Sequence, residues 1–137
     1  MNSSLRVPVA IFILAASISS CGQSVGNIDL EGTQWLLVEM AGEAPLPDSG
    51  ITIGFDEGQV HGRLGCNSFS GPYSMTGNSL EFGLLMSTLM ACVDNDMMQQ
   101  ESRMFELIGQ VEQVQIIEGR LHLGLGDGNQ LIYQPME

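Results

Sequence analysis

The chain has 137 residues, of which 16 are Asp or Glu and four are Arg or Lys, and its formal net charge is −12. Such a surface lacks the clustered Lys and Arg that neutralise phosphate, which argues against a nucleic-acid partner and against electrostatic adhesion to anionic lipid. It suits solubility, or a basic partner or cationic ligand.

Along the chain, Arg6 is the only charge before an apolar stretch over residues 7–18, and the small residues Ser19 and Ser20 abut Cys21. This is the plan of a secretory leader. Its end, Ile18-Ser19-Ser20-Cys21, is the pattern that lipoprotein signal peptidase cuts and diacylglyceryl transferase acylates. The stretch is too short to span a bilayer, which takes about 20 apolar residues. An ordinary signal peptide with an incidental cysteine is the alternative.

The expected organisation is a lipoprotein signal peptide over 1–20, an acylated Cys21 with a short tether over 21–28, and one domain over 29–137. Removing the leader leaves three arginines, Arg63, Arg103 and Arg120, against 16 carboxylates, or −13. Residues 22–27 reach about 20 Å at full stretch. Acyl chains such as palmitate, at about 0.8 kcal/mol per buried methylene, would hold the domain at its membrane. Gly22 after the cysteine favours, under the usual lipoprotein sorting rule, the outer membrane facing the periplasm if the host has two membranes.

From Asp29 on, short apolar runs are broken by Gly, Asn, Asp and Pro, which predicts antiparallel strands. They fall near 34–40, 51–55, 59–64, 71–76 and 79–83, then 114–117, 120–125 and 129–133. Asp56-Glu57-Gly58, Gly77-Asn78, Glu118-Gly119 and Asp127-Gly128 read as hairpin turns, and Leu121, Leu123 and Leu125 share a face. Asp94 or Asp96 can cap a helix running to about Gly109, with Met97, Glu101, Met104, Phe105, Ile108 and Val111 as its apolar stripe. The fold class is α+β: a small curved antiparallel sheet, or partial barrel, packed around one helix.

With Cys21 acylated, Cys66 and Cys92 remain as an even pair in an oxidising compartment, where a disulfide is the default. The bridge would close a loop that the chain-entropy model values at about 3.5 kcal/mol. Two buried free thiols, or a redox pair, are the alternatives; the spacing is unlike Cys-x-x-Cys, and no basic neighbour would stabilise a thiolate.

Several pieces carry a family resemblance. They are Gly32-Thr33-Gln34-Trp35-Leu36-Leu37, Gly65-Cys66-Asn67-Ser68-Phe69-Ser70-Gly71 followed by Tyr73, Ser87-Thr88-Leu89-Met90-Ala91-Cys92, the acidic helix with Glu101 and Phe105, and the closing Leu121-His122-Leu123 and Leu131-Ile132-Tyr133. In this order they resemble the META domain, also called HslJ-like. The resemblance implies a curved antiparallel sheet with a helix on its concave side, and pairing of Cys66 with Cys92. It also implies an exported or membrane-anchored protein linked to heat shock, novobiocin resistance, motility or virulence, with no established reaction. The fold is similar as well to pilot lipoproteins of type III secretion, which bind a partner's tail in the sheet groove. Members often carry Lys or Arg where this chain has Leu89, which puts an anion-binding role for that position in doubt.

The candidate site residues are Gly65, Asn67, Phe69, Gly71, Tyr73, Ser87, Thr88 and Met90. Gly65 and Gly71 mark sharp turning or close backbone approach, while Asn67, Ser87 and Thr88 can bridge main-chain groups. They form either a structural lock around the disulfide or a polar ligand pocket. No catalytic residue is expected: His61 and His122 alternate with apolar neighbours on strands, and no nucleophile elbow, metalloprotease helix or phosphate loop occurs. No metal and no cofactor are expected. Asp94-Asn95-Asp96 with Glu101 lacks the glycine and spacing of a calcium loop, and the nine methionines suit core and groove packing better than copper.

The functional expectation is a non-enzymatic, lipid-anchored envelope protein that supports envelope integrity or stress and antibiotic tolerance by contact with another envelope component. The alternative is a groove-type binder of a hydrophobic small molecule or of a lipid or peptide tail.

Overall fold

The computed structural model describes residues 26–137. The leader, Cys21 and most of the tether lie outside the described residues. The elements are β1 (Thr33–Met40), β2 (Thr52–Asp56), β3 (Gln59–Arg63), β4 (Ser68–Thr76), β5 (Ser79–Phe82), β6 (Met86–Ser87), α1 (Asn95–Ile108), β7 (Val111–Ile117), β8 (Arg120–Leu125) and β9 (Gln130–Pro135).

The strand order is β3-β2-β1-β9-β8-β7-β5-β4, and β4 returns to β3. All the pairings are antiparallel. The expected partial barrel is therefore corrected: eight strands close into a barrel, and β6 adds a ninth strand on β4. Closure rests on the length of β4. Its first half pairs with β3, from Arg63↔Ser68 to Gln59↔Pro72, and its second half with β5, from Tyr73↔Phe82 to Thr76↔Ser79. One strand thus joins both edges and removes them, which satisfies backbone groups that an open sheet would leave unpaired. Register shifts at Leu37/Glu39 and Val111/Gln113 supply the local bending that such closure needs.

The expected turns Glu57-Gly58 and Glu118-Gly119 have paired positive φ values, 50° with 72° and 50° with 76°, the primed geometry that matches strand twist. Leu121, Leu123 and Leu125 are all buried, joined by Ile53, Phe55, Val60, Leu131 and Tyr133 in one core.

Asp94 caps α1, its carboxylate accepting from the N–H groups of Asp96 at 2.8 Å and Met97 at 3.3 Å. The buried face is Gln100, Glu101, Met104, Leu107 and Ile108. Val111 belongs to β7, and Leu107 replaces it on the stripe, because the helix ends at the Gly109 cap before a further turn can form. α1 lies across one end of the barrel rather than being wrapped by it. There Gln100 Oε1 accepts from the Leu46 N–H at 2.6 Å, and Arg103 pairs with Glu43 at 2.6 Å, both from the β1–β2 connection. No helix among the described residues is long and apolar enough to cross a membrane.

Candidate functional site

Between β3 and β4 the chain turns through Gly65, whose φ of 137° favours glycine. A Cβ there would stand 2.9 Å from Met97 Sδ. This close passage brings the next two backbone N–H groups onto the buried face of α1. Glu101 Oε2 accepts from both, Cys66 N and Asn67 N, each at 3.0 Å. Its Oε1 accepts from Asn67 Nδ2. A carboxylate that is 8% exposed is thereby satisfied by three donors, as burial of a charged group requires.

Asn67 is itself 5% exposed, and its amide is saturated. Nδ2 donates to Glu101 and to the Met90 carbonyl at 3.0 Å. Oδ1 accepts from the Thr88 hydroxyl at 2.8 Å and the Met90 N–H at 2.7 Å. Two donors and two acceptor sites are all that an amide side chain offers. Thr88 extends the chain of contacts, with its Oγ1 accepting from Ser68 N at 3.1 Å and its N–H donating to the Ser68 carbonyl at 3.0 Å. The Ser87 hydroxyl donates to the Thr88 carbonyl at 2.7 Å. Cys66 and Cys92 are joined in a disulfide with Cα atoms 6.1 Å apart, and Cys92 Sγ lies 3.9 Å from Glu101 Oε2.

The remaining motif residues lie along β4. Phe69 is buried in the barrel core. Gly71 admits the Leu84 carbonyl, which would stand 2.7 Å from a Cβ at this position. Tyr73 sits toward the other end. Its ring meets Phe55 edge-on at 5.1 Å, and its hydroxyl donates to Glu31 at 2.9 Å. Burial first, then the Glu31 hydrogen bond and the Glu31, Asp29 and Asp56 charges, push this phenol up to about 12. Thus Gly65, Asn67, Ser87, Thr88 and Met90 come together with the disulfide; Phe69 pairs with Ser87 along the backbone while its side chain is buried in the core, and Gly71 and Tyr73 lie further along β4.

The family model of the META domain matches residues 28–137. The chain belongs to the META domain family. An NMR structure of a protein from Burkholderia xenovorans shares 25% identity with it at a TM-score of 0.65, over 78% of this chain and 83% of that one. A second NMR structure, with 23% identity and a TM-score of 0.62 over 77% and 90% of the two chains, shares the fold. No curated protein matches the chain.

In this META domain the polar cluster is an internal fastening. Cys66, Cys92 and Glu101 bring a sulfur, a sulfur and a carboxylate oxygen within 4.8 Å. Both sulfurs are in the disulfide, and the carboxylate is held by its three donors. Sequence reasoning placed Glu101 on the helix stripe without a role and missed Gln100. The signal was available: two polar residues on a face otherwise given to Met104, Leu107 and Ile108 need buried partners.

Proposed function

We propose that this META domain works as a non-enzymatic, lipid-anchored envelope protein that supports envelope integrity or stress tolerance through contact with another envelope component. The observation that carries this reading is the saturated amide of Asn67. The most distinctive polar residue of the motif holds its own chain, and its hydrogen-bonding capacity is used within the fold. His61 and His122 lie on strands away from this cluster, His122 facing Gln130 at 3.1 Å, so neither assists a nucleophile there. Met104, Leu107 and Ile108 of α1 and Leu121, Leu123 and Leu131 of the strands are buried in one continuous core. That continuity favours surface contact over capture of an apolar tail in an internal groove.

Anchoring at Cys21 is tested by replacing it with Ser in the exporting host and following incorporation of a labelled fatty acid; undiminished labelling refutes it. The contact reading is tested by crosslinking the acylated protein in cells and identifying its adducts by mass spectrometry. A discrete protein present in near-equal amount supports it, and a reproducible small molecule without any protein overturns it.

A further inference from the structure

Within ten consecutive residues, Leu84, Met86, Leu89, Met90 and Val93 are 83, 68, 95, 60 and 105% exposed. Folded monomers rarely leave apolar side chains in such a concentration without a use for them. The fold actively holds this segment in place. Asn67 grips Met90 at both its N–H and its carbonyl, Thr88 is tied to Ser68, and Cys92 is bonded to Cys66. Leu85 packs against the core and fixes the segment at its other end. The lock described above therefore presents an apolar loop in a set conformation, which lowers the ordering cost of binding.

Two further features narrow the partner. β6 is the last strand of its sheet, flanked only by β4. Its free edge can accept an added extended strand. The charged residues flanking the segment are the exposed Glu81, Asp94 and Asp96, against one nearby cation, Arg63, whose guanidinium donates to the Gly65 carbonyl at 3.3 Å. An acidic rim of this kind opposes anionic headgroups and favours a basic partner.

We infer that residues 84–93 form a docking surface for an extended apolar segment flanked by Lys or Arg, belonging to another envelope protein and lying along β6. This rests on the contact reading above. The geometry of attachment agrees with it. Gly26 and Ile28, at the start of the described residues, lie beside Asn78 and residues 116–118, at the end of the barrel remote from this loop, which pairs at Phe69 and Ser70.

The test is a benzophenone amino acid placed at Leu89, at Val93 and, for reference, at Glu118 in the full-length acylated protein, photolysed in cells, with the crosslinked segment sequenced. The expected result is a protein adduct from Leu89 and Val93 whose attachment segment is apolar and flanked by Lys or Arg. Met86→Ser, at an exposed position, should cut that yield about tenfold, as loss of an interface anchor does. Lipid adducts alone from Leu89 and Val93 would assign the loop to a membrane and overturn the proposal, as would an acidic or wholly polar partner segment, or no adduct from either position. A discrete protein caught only from Glu118 would leave the contact reading standing and reject this surface.

Discussion

Asn67→Asp tests the lock with almost no change of shape. The new carboxylate keeps both acceptor contacts, to Thr88 and to Met90 N, but replaces the amide nitrogen that faces Glu101 and the Met90 carbonyl. Two carboxylates about 3 Å apart at an effective dielectric near 20 would repel by about 5 kcal/mol. Retaining one proton between them costs less, about 1.4 kcal/mol for each pH unit above an ordinary carboxyl value near 4, hence about 4 kcal/mol at pH 7. The lost donor to Met90 adds about 1 kcal/mol. The folded state then binds a proton that the unfolded state has released, so stability falls as pH rises above about 4. Denaturant unfolding of the disulfide-bonded variant and the parent should differ by about 5 kcal/mol at pH 7 and by only about 1.5 kcal/mol at pH 4. A difference that does not change with pH, or one below about 1 kcal/mol at pH 7, would refute the arrangement of Asn67 against Glu101.

Reduction of the Cys66–Cys92 bridge should add the mass of two hydrogens and lower unfolding stability by about 3.5 kcal/mol; two thiols that alkylate without reductant would contradict the bond. Gly65→Ala meets a φ of 137° and a Met97 sulfur 2.9 Å away, and should lower stability by about 2 kcal/mol, or the Tm by about 8 °C, in a thermal melt. Burial also raises the Tyr133 phenol, so both tyrosines should stay un-ionised in the native state at pH 11. Unfolded tyrosine ionises near pH 10, so stability falls as pH climbs beyond that value. Absorbance of phenolate at pH 11 under native conditions, matching that of the unfolded chain, would contradict both placements.

Strand positions were largely legible, because turn chemistry is local. Glu57-Gly58 and Glu118-Gly119 announce primed turns in two residues, and the hairpins on either side follow from them. Closure of the barrel was not legible. It depends on β4 serving two neighbours along its nine residues, and the apparent gap between Leu64 and Gly71 hid the first half of that strand. β6 was missed for a similar reason: its two residues carry no period of their own, and they pair with β4 beside Gly71, where the Leu84 carbonyl comes close.

The site divides along the same line. The motif Gly65-Cys66-Asn67 and the partner segment 87–92 could be read as a fastening from residue types alone, but the residue at its centre comes from α1, 34 and 35 positions after Asn67 and Cys66. Glu101 stands at a stripe position among Met97, Met104 and Ile108, where a charge would be expelled unless donors met it. A buried carboxylate must be met by hydrogen-bond donors. After the turn at Gly65 the consecutive N–H groups of Cys66 and Asn67 donate to one carboxylate oxygen. Pairing the carboxylate with these donors, rather than assigning the acidic residue to the helix surface, places Glu101 against Cys66 and Asn67. The same pairing accounts for why the loop beyond Ser87 is held outward with its apolar side chains in solvent: its polar backbone is already bound at Asn67, so folding the side chains inward would break those bonds.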